Sequence, residues 1–460
     1  MSRYDLVVIG GGAAGLAAAR TGAARGARTL LVEEGSIGGD CTFTGCVPSK
    51  TLIECAARGV EFGEAMSAVR AAVARIAATE TAQVLAGEGI EVLPDRAAFS
   101  ARRRILAGGR EVEAGAIVIA TGTRPAVPSI PGLAEVACLT NENVFELRRA
   151  PRSLAVLGGG AVGCELSQAM SRFGVHVTVV EEQDRLLPGE DPEAARIIED
   201  VLTRESIIIR TATTVSAVTT TAGGVRLETG RGDPVEAEML LVTAGRVPVT
   251  DALGLADAEV GVDGRGYVIV DDHLATTAAG VYAAGDITGL AHLTHAAYAM
   301  GRTAAANALG GRRKASFTTA GIPRVVFTDP EVAQVGLTER QATAEAEDAL
   351  VAYLPMSELD RAVVARRTDG FVKLIAGPRR LLGHRGGGRV LGATIVASRA
   401  GEMIHEPALA IRTGMFTGRL AQTVHAYPSW SMAIQQAAAQ FFGAHGHRTA
   451  RAATRDGDTH

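Results

Sequence analysis

The run Leu6-Val7-Val8-Ile9-Gly10-Gly11-Gly12-Ala13-Ala14-Gly15 decides the fold. Four consecutive apolar residues read as a parallel strand buried on both faces. A strand that runs into GxGxxG and then an alanine-rich helix opens a dinucleotide-binding βαβ unit. Gly10 makes the turn, Gly12 lets the backbone approach a pyrophosphate, and Gly15 lets the helix lie close on the strand. The second strand, Thr29-Leu30-Leu31-Val32, ends at Glu33, whose carboxylate can accept from ribose hydroxyls.

The pattern occurs twice. Ser153-Leu154-Ala155-Val156-Leu157 leads into Gly158-Gly159-Gly160-Ala161-Val162-Gly163, and Val177-Thr178-Val179-Val180 ends at Glu181. The first glycine and the acid lie 23 positions apart in both copies, 10 to 33 and 158 to 181. Such a repeat carries more weight than either motif alone. It predicts two nucleotide sites, with Gly158, Gly160 and Gly163 in the second, and two nucleotides able to exchange a hydride. A carboxylate at 181 repels a 2′-phosphate and hydrogen-bonds a free ribose. Glu182 adds to this and the nearest arginine is Arg185, so NADH is favoured over NADPH.

Between the copies lies Gly38-Gly39-Asp40-Cys41-Thr42-Phe43-Thr44-Gly45-Cys46-Val47-Pro48-Ser49-Lys50. Cys41 and Cys46 are near enough to pair if a helix start brings them together, and Pro48 suits a first helical turn. Gly45 lets the backbone come close to a cofactor. A helix N-terminus lowers a thiol pKa, as a redox-active thiolate requires. A structural disulfide or a partial metal site is the alternative, set against only three other, scattered cysteines.

The 460 residues suggest about three domains. A 47% hydrophobic content with 21% charged residues describes a globular chain with ample core. A net charge of −4 gives no electrostatic case for nucleic acid or a membrane surface. Five cysteines are no secreted disulfide framework, and the first apolar run is too short for a signal peptide or a span. The expectation is a cytoplasmic protein with no membrane partner.

Residues 51–92 read as amphipathic helices over the cysteine motif. An apolar strand at 114–120 runs into Thr121-Gly122, where small residues leave room for a cofactor, and Pro125, Pro128 and Pro131 read as a linker. Residues 238–249 are a second strand-into-turn, at Gly245. Gly280-Val281-Tyr282-Ala283-Ala284-Gly285-Asp286 ends in a carboxylate suited to a sugar or ribityl hydroxyl, a plain helix cap being the alternative. Asp271-Asp272 reads as a solvated turn. From Ile322 the pattern becomes strands (325–328, 371–375, 389–396) and helices (400–412, 431–442), an antiparallel sheet without a phosphate loop. Arg385-Gly386-Gly387-Gly388-Arg389 reads as a mobile hairpin tip, and the polar chain from His445 onward as disordered, with His445 and His447 solvated rather than metal-bound.

These motifs are similar to those of the flavoprotein disulfide reductases, the pyridine-nucleotide class that includes dihydrolipoamide dehydrogenase, glutathione reductase and mercuric reductase. The resemblance covers nearly the whole chain. It rests on Gly38–Lys50, both GxGxxG units, Ala120-Thr121-Gly122, Ala284-Gly285-Asp286 and the run Phe327–Glu339. It implies an α/β protein of two Rossmann-like domains plus an α+β dimerisation domain, in a homodimer. FAD would occupy 1–148 and 268–335, a nicotinamide nucleotide 149–267, and 336–450 would form the interface, followed by a tail at 451–460. Cys46 matches the thiol against the flavin and Cys41 the interchange thiol facing substrate. Lys50 and Glu165 match an ion pair beside the reactive flavin nitrogen. Gly39, Asp286, Thr294 and His295 match flavin contacts.

One departure bears on function. Disulfide-exchanging members carry a histidine before a proline, with a glutamate five residues on, as acid/base for the interchange thiol. Here Val424-His425-Ala426-Tyr427-Pro428-Ser429-Trp430-Ser431-Met432 places Tyr427 and Met432 at those positions. A tyrosine of pKa ≈ 10 is a poor base at pH 7, and losing acid/base help typically costs ~10²–10⁴-fold. His425 is displaced by about 6–7 Å along an extended segment. Tyr427 could instead pack or line a pocket, and Trp430 reads as a packing residue of the subunit interface. The expectation is an NADH-dependent FAD enzyme that passes electrons through Cys41/Cys46 to an unconventional small-molecule acceptor: a metal ion, a quinone or an unusual thiol compound. The alternatives are a dihydrolipoamide dehydrogenase-type reductase and a redox-sensing flavoprotein without turnover. Mercuric reductase shares the missing dyad. Its usual C-terminal cysteine pair, N-terminal metal module and NADPH have no counterpart in this sequence, which counts against that assignment.

Overall fold

The computed structural model describes residues 2–311, 313–379 and 381–454. The chain divides into two compact units: Met1–Pro128 with Leu139–Arg149 and Ala244–Thr319, and Ser129–Cys138 with Ala150–Thr243 and Ala320–His460.

The first unit is built on a seven-stranded sheet. Ser2–Ile9 pairs in parallel with Thr29–Val32 on one side and Arg110–Ile119 on the other, placing Ile9 between Val32 and Ile119. Ile90–Leu93 and Val281–Ala283 extend the parallel part, and an antiparallel pair, Arg104–Ala107 and Ala98–Ala101, closes one edge. Leu6, Val7, Val8 and Ile9 are all buried, as a strand covered on both faces must be. The helices Ala13–Ala24 and Thr294–Ala308 cross in close contact. A Cβ on Gly301 would stand 2.0 Å from the Ala14 carbonyl oxygen, so only glycine allows this approach. The alanine- and glycine-rich composition thus serves tight helix packing. The stretch 51–92 holds the helices Cys46–Ala57 (which begins before it), Phe62–Ala77 and Ala82–Gly87, and ends in the strand Ile90–Leu93, which no helical pattern foretold.

The second unit repeats the motif. Its four-stranded parallel sheet runs Ile208–Arg210, His176–Val180, Ser153–Leu157, Met239–Val242, with the helix Ala161–Arg172 following the glycine turn. A six-stranded antiparallel sheet then runs Arg324–Val326, Glu331–Gly336, Arg389–Ala397, Phe371–Gly377, Leu350–Pro355, Arg451–Ala452. Helices His405–Arg412, Thr417–Gln422 and Met432–Ala439 accompany this sheet, and Ala410, Leu420, Ala433 and Ile434 join its core.

Three expectations need revision. A boundary at 335/336 would cut off Arg324–Val326 and Glu331–Gly336, whose ladder hydrogen bonds lie within the six-stranded sheet. Nor is the chain from His445 to Thr454 loose. Arg451–Ala452 pairs with Leu350 and Val351, Arg451 bridges Glu339, and the Thr454 N–H donates to Glu339 Oε1 at 3.0 Å. The sequence suggested solvation because these partners lie about a hundred residues away; 455–460 fall outside the described residues. The glycine hairpin is not a free tip either. Gly387 is buried against Thr417 and Phe442, and Gly386 lies on the Phe416 ring.

One half-buried acid should make this unit's stability depend on pH. Glu331 accepts from the Gly401 N–H at 2.8 Å. Burial pushes its carboxyl up to about 7; the Gly401 N–H and Arg399 oppose that shift, and the like charges of Glu402 and Asp329 reinforce it. A folded pKa above the unfolded ≈ 4.3 means that its stability contribution is full below that value and is lost as pH rises through about 7. Glu331→Gln keeps the acceptor, so its melting temperature should exceed wild type at pH 8 and the gain should shrink towards pH 5. An equal shift at both pH values would refute this.

Candidate functional site

The two glycine turns are geometric copies. Gly10 and Gly158 have φ of +102° and +113°, the left-handed region that favours glycine. A Cβ at Gly15 would stand 1.8 Å from the Gly10 carbonyl oxygen, and one at Gly163 2.0 Å from that of Gly158. Gly12 and Gly160 precede their helices in extended backbone, with ψ of −170° and −173°. These two positions are open: a Cβ on Gly12 meets only the Gly39 Cα, at 3.9 Å, and one on Gly160 meets nothing within 4 Å. Each turn therefore offers free backbone at a helix N-terminus, which suits a diphosphate.

The acids complete both copies. Glu33 accepts from the Gly11 N–H, and from that of Gly35 at 2.7 Å. Glu181 accepts from Gly159 N–H at 2.6 Å and Gln183 N–H at 2.7 Å. Each carboxylate is held by backbone at the edge of its cradle, where it can also accept from a ribose. Thr121 Oγ1 donates to the Val249 carbonyl at 2.8 Å, and Gly122 and Gly245 adopt positive φ, so the strand-end turns are fixed by main chain. Asp286 starts a short 3-10 turn without capping it, which removes the plain-cap alternative. It accepts from Thr123 Oγ1 at 3.3 Å, and burial pushes its carboxyl up.

Cys41 lies in the short helix Gly39–Phe43, and Cys46 is the first residue of Cys46–Ala57. Neither is in a disulfide. The hydrogen bond with Cys46, then burial, pushes the Cys41 thiol far up. Thr294, first residue of its own helix, places Oγ1 3.3 Å from Cys46 Sγ. Cys46 thus sits at a helix N-terminus, in hydrogen-bond reach of Thr294, with Cys41 hydrogen-bonded to it. Neighbouring residues are pinned in turn: Arg246 pairs with Asp40, Thr42 Oγ1 donates to Glu80 at 3.2 Å, and Asn141 Nδ2 to the Thr44 carbonyl at 3.3 Å. Of these, Arg246 follows directly on Gly245, a sequence signal that went unused. Cys164 is inert by contrast, buried with its thiol pushed up by burial and donating to the Gly159 carbonyl at 3.3 Å. Lys50 follows Cys46 by four positions on the same helix, and His295 follows Thr294 on its own. Glu165, in the second unit, is buried and accepts from the Phe327 N–H at 2.8 Å.

The segment around Tyr427 is braced by carboxylates. His425 Nδ1 lies 2.9 Å from the Thr423 carbonyl and Nε2 3.1 Å from Glu406 Oε2, so both ring nitrogens are engaged. Tyr427, 70% exposed, donates to Asp360 Oδ2 at 2.9 Å, and this hydrogen bond pushes its phenol pKa up. Met432 opens the helix Met432–Ala439, and Trp430 packs against the core of its own unit with Arg361 over its ring. Among the described residues no helix is long and apolar enough to cross a membrane, and no three His, Cys, Asp or Glu are grouped to hold a metal ion.

The pyridine nucleotide-disulphide oxidoreductase pattern matches residues 4–301, and the dimerisation domain of the same proteins matches 322–438. The chain belongs to this family. Its members are FAD-dependent oxidoreductases that use a pyridine nucleotide, and the dimerisation domain supports a homodimer. The chain is 35% identical to the mercuric reductase of Streptomyces lividans, covering 95% of this chain and 96% of that one. It is 34% identical to the dihydrolipoyl dehydrogenase of Thermus scotoductus, covering 95% and 97%. Among solved structures, the Cu(II) complex of the HOCl-induced flavoprotein disulfide reductase RclA from Escherichia coli superimposes with a TM-score of 0.86 at 29% identity, over 93% and 98% of the two chains. The near-complete match to the Streptomyces enzyme removes the extra metal module as a mark that sets mercuric reductases apart.

Proposed function

We propose that this chain is an NADH-dependent flavoenzyme that delivers electrons through Cys41 and Cys46 to a thiol-reactive metal ion. The observation that carries this reading is a dithiol on a helix N-terminus combined with a Val424–Met432 segment that offers no open base. Both nitrogens of His425 and the phenol of Tyr427 are already committed to acceptors. A disulfide acceptor needs protons delivered to its leaving thiols. A metal acceptor needs only electrons: the two from NADH reduce one Hg(II) to Hg(0), or two Cu(II) to Cu(I). A relative named mercuric reductase, and a flavoprotein disulfide reductase solved as its Cu(II) complex, support the choice of acceptor.

FAD bound there would supply the chemistry that links NADH, a hydride donor, to two-electron reduction of the Cys41–Cys46 pair in its disulfide form. The residues suited to hold it are Gly10, Gly12, Gly15, Glu33, Gly39, Thr121, Gly122, Asp286, Thr294 and His295, with Lys50 beside the ring; Glu165 is proposed as a further catalytic residue. Gly158, Gly160, Gly163 and Glu181 would hold the nicotinamide nucleotide, and Gly245, at a strand-end turn of the first unit, is proposed as a further cofactor-binding residue. Glu181, whose carboxylate repels a 2′-phosphate, favours NADH. Cys46 keeps the thiolate, and Cys41 meets the metal.

The test is NADH oxidation by the FAD-loaded enzyme with Hg(II), Cu(II) or lipoamide. Metal-dependent turnover should fall by about 10² or more in Cys41→Ser, and lipoamide turnover should stay ~10²–10⁴-fold below that of dyad-bearing enzymes. Tyr427→His with Met432→Glu should raise lipoamide turnover. Metal turnover that survives Cys46→Ser would sink the reading. A second reading, disulfide reduction, is favoured by the His425–Glu406 pair, and rapid lipoamide turnover in wild type, abolished by His425→Gln, would establish it.

A further inference from the structure

One polar network in the first unit joins the thiol loop to Asp286. The Arg246 guanidinium pairs with the Asp40 carboxylate, donates from Nε to Thr123 Oγ1 at 2.6 Å, and from Nη2 to the Thr123 carbonyl at 2.8 Å. Thr123 Oγ1 then donates to Asp286 Oδ2. Strand pairing fixes the guanidinium's base: Arg246 lies opposite Pro125 and Pro248 opposite Thr123, while the Tyr267 hydroxyl donates to the Arg246 carbonyl at 3.4 Å. One arginine therefore serves two carboxylates.

The position of Asp40 gives this pairing its meaning. Its neighbour Gly39 has φ +60°, and a Cβ there would stand 2.8 Å from the Gly12 Cα. The turn that carries Asp40 thus lies directly on the open glycine of the first cradle. A diphosphate brings negative charge to that cradle, and a bare carboxylate beside it opposes binding.

We infer that Arg246 is a positioning residue for FAD: it neutralises Asp40 beside the glycine cradle and, through Thr123, orients Asp286 towards the same cofactor. This rests on the first unit being the flavin site. It also ties cofactor binding to the geometry of the turn that bears Cys41.

The experiment measures FAD affinity of stripped protein by flavin fluorescence in four forms: wild type, Arg246→Met, Asp40→Asn and the double variant. Arg246→Met should weaken FAD by at least about tenfold, Asp40→Asn by less than about threefold, and the double variant should recover most of the loss, as expected for two coupled charges. If arginine acted only as a strut, the double variant would bind as weakly as Arg246→Met, which overturns the inference. Arg246→Lys guards against a folding defect in the methionine variant. It keeps the charge and should bind within about fivefold of wild type; binding no better than about tenfold below wild type would refute neutralisation. A wild-type protein that takes up no FAD would instead overturn the flavin reading itself.

Discussion

Gly15→Ala should abolish flavin retention and cost about 3 kcal/mol of stability, at the upper end of overpacking effects, whereas Gly12→Ala should leave the fold intact and still lose flavin. The two glycines belong to one motif but do different work. At Gly15 the new methyl would lie 1.8 Å from a main-chain oxygen, and neither the strand end nor the helix can withdraw without breaking the buried layer around Val8 and Ala18. At Gly12 the methyl finds only a Cα 3.9 Å away, so the apo protein should melt within about 2 °C of wild type. The same methyl stands at the helix N-terminus where a diphosphate must approach the backbone. Thermal melts of both apo variants, followed by FAD titration, separate the two effects. A Gly12→Ala protein that holds FAD as tightly as wild type would remove the diphosphate from this cradle. Gly163→Ala should repeat the first result in the second unit, since its methyl would lie 2.0 Å from the Gly158 oxygen.

The reason so much was legible lies in these turns. Local chemistry sets the glycine conformations, and the shared 23-residue offset from first glycine to acid sets the carboxylate opposite them, so Glu33 and Glu181 hydrogen-bond equivalent backbone groups in both units. Continuous apolar runs likewise mark the strands Ser2–Ile9 and Ser153–Leu157. What failed was anything decided by distant partners. The Arg451–Ala452 strand is short and polar, and exists because Leu350–Pro355 offers an edge and Glu339 a counter-charge. Glu406 stands 19 positions before His425, far from the five-residue spacing by which a dyad is read, yet it is the glutamate that the imidazole meets. Arg246 and Asp40 are 206 positions apart, and no periodicity links them.

Lys373 is the clearest case of a residue whose weight only the fold reveals, and Lys373→Met should be among the most destabilising single changes outside the glycine turns. The side chain is 1% exposed on the strand Phe371–Gly377, with Nζ 3.0 Å from Asp191, 3.1 Å from Glu193 and 3.3 Å from Glu339. Asp191 also caps the helix Pro192–Arg204 by accepting from the Glu193 N–H at 3.0 Å, so the ammonium ties that helix to the six-stranded sheet. Burial alone would lower the lysine pKa, but the three carboxylates outweigh it and raise it. A raised folded value means that the pair's contribution is complete below the unfolded pKa ≈ 10.4 and fades only as pH climbs through the folded one. Removing the ammonium leaves buried carboxylates without their counter-ion, an error that typically costs ~3–5 kcal/mol, or roughly 10 °C in melting temperature for a unit of this size. Arg451 still answers Glu339, so the unmet charge should fall on Asp191 and Glu193. Without the ammonium the charged forms of those acids are disfavoured, and taking up a proton relieves the cost. The gap between Lys373→Met and wild type should therefore be widest near pH 7–8 and should narrow as pH falls towards 5. Melts across that range decide the matter: a gap independent of pH would mean that lost packing, not lost charge, is what the lysine supplies.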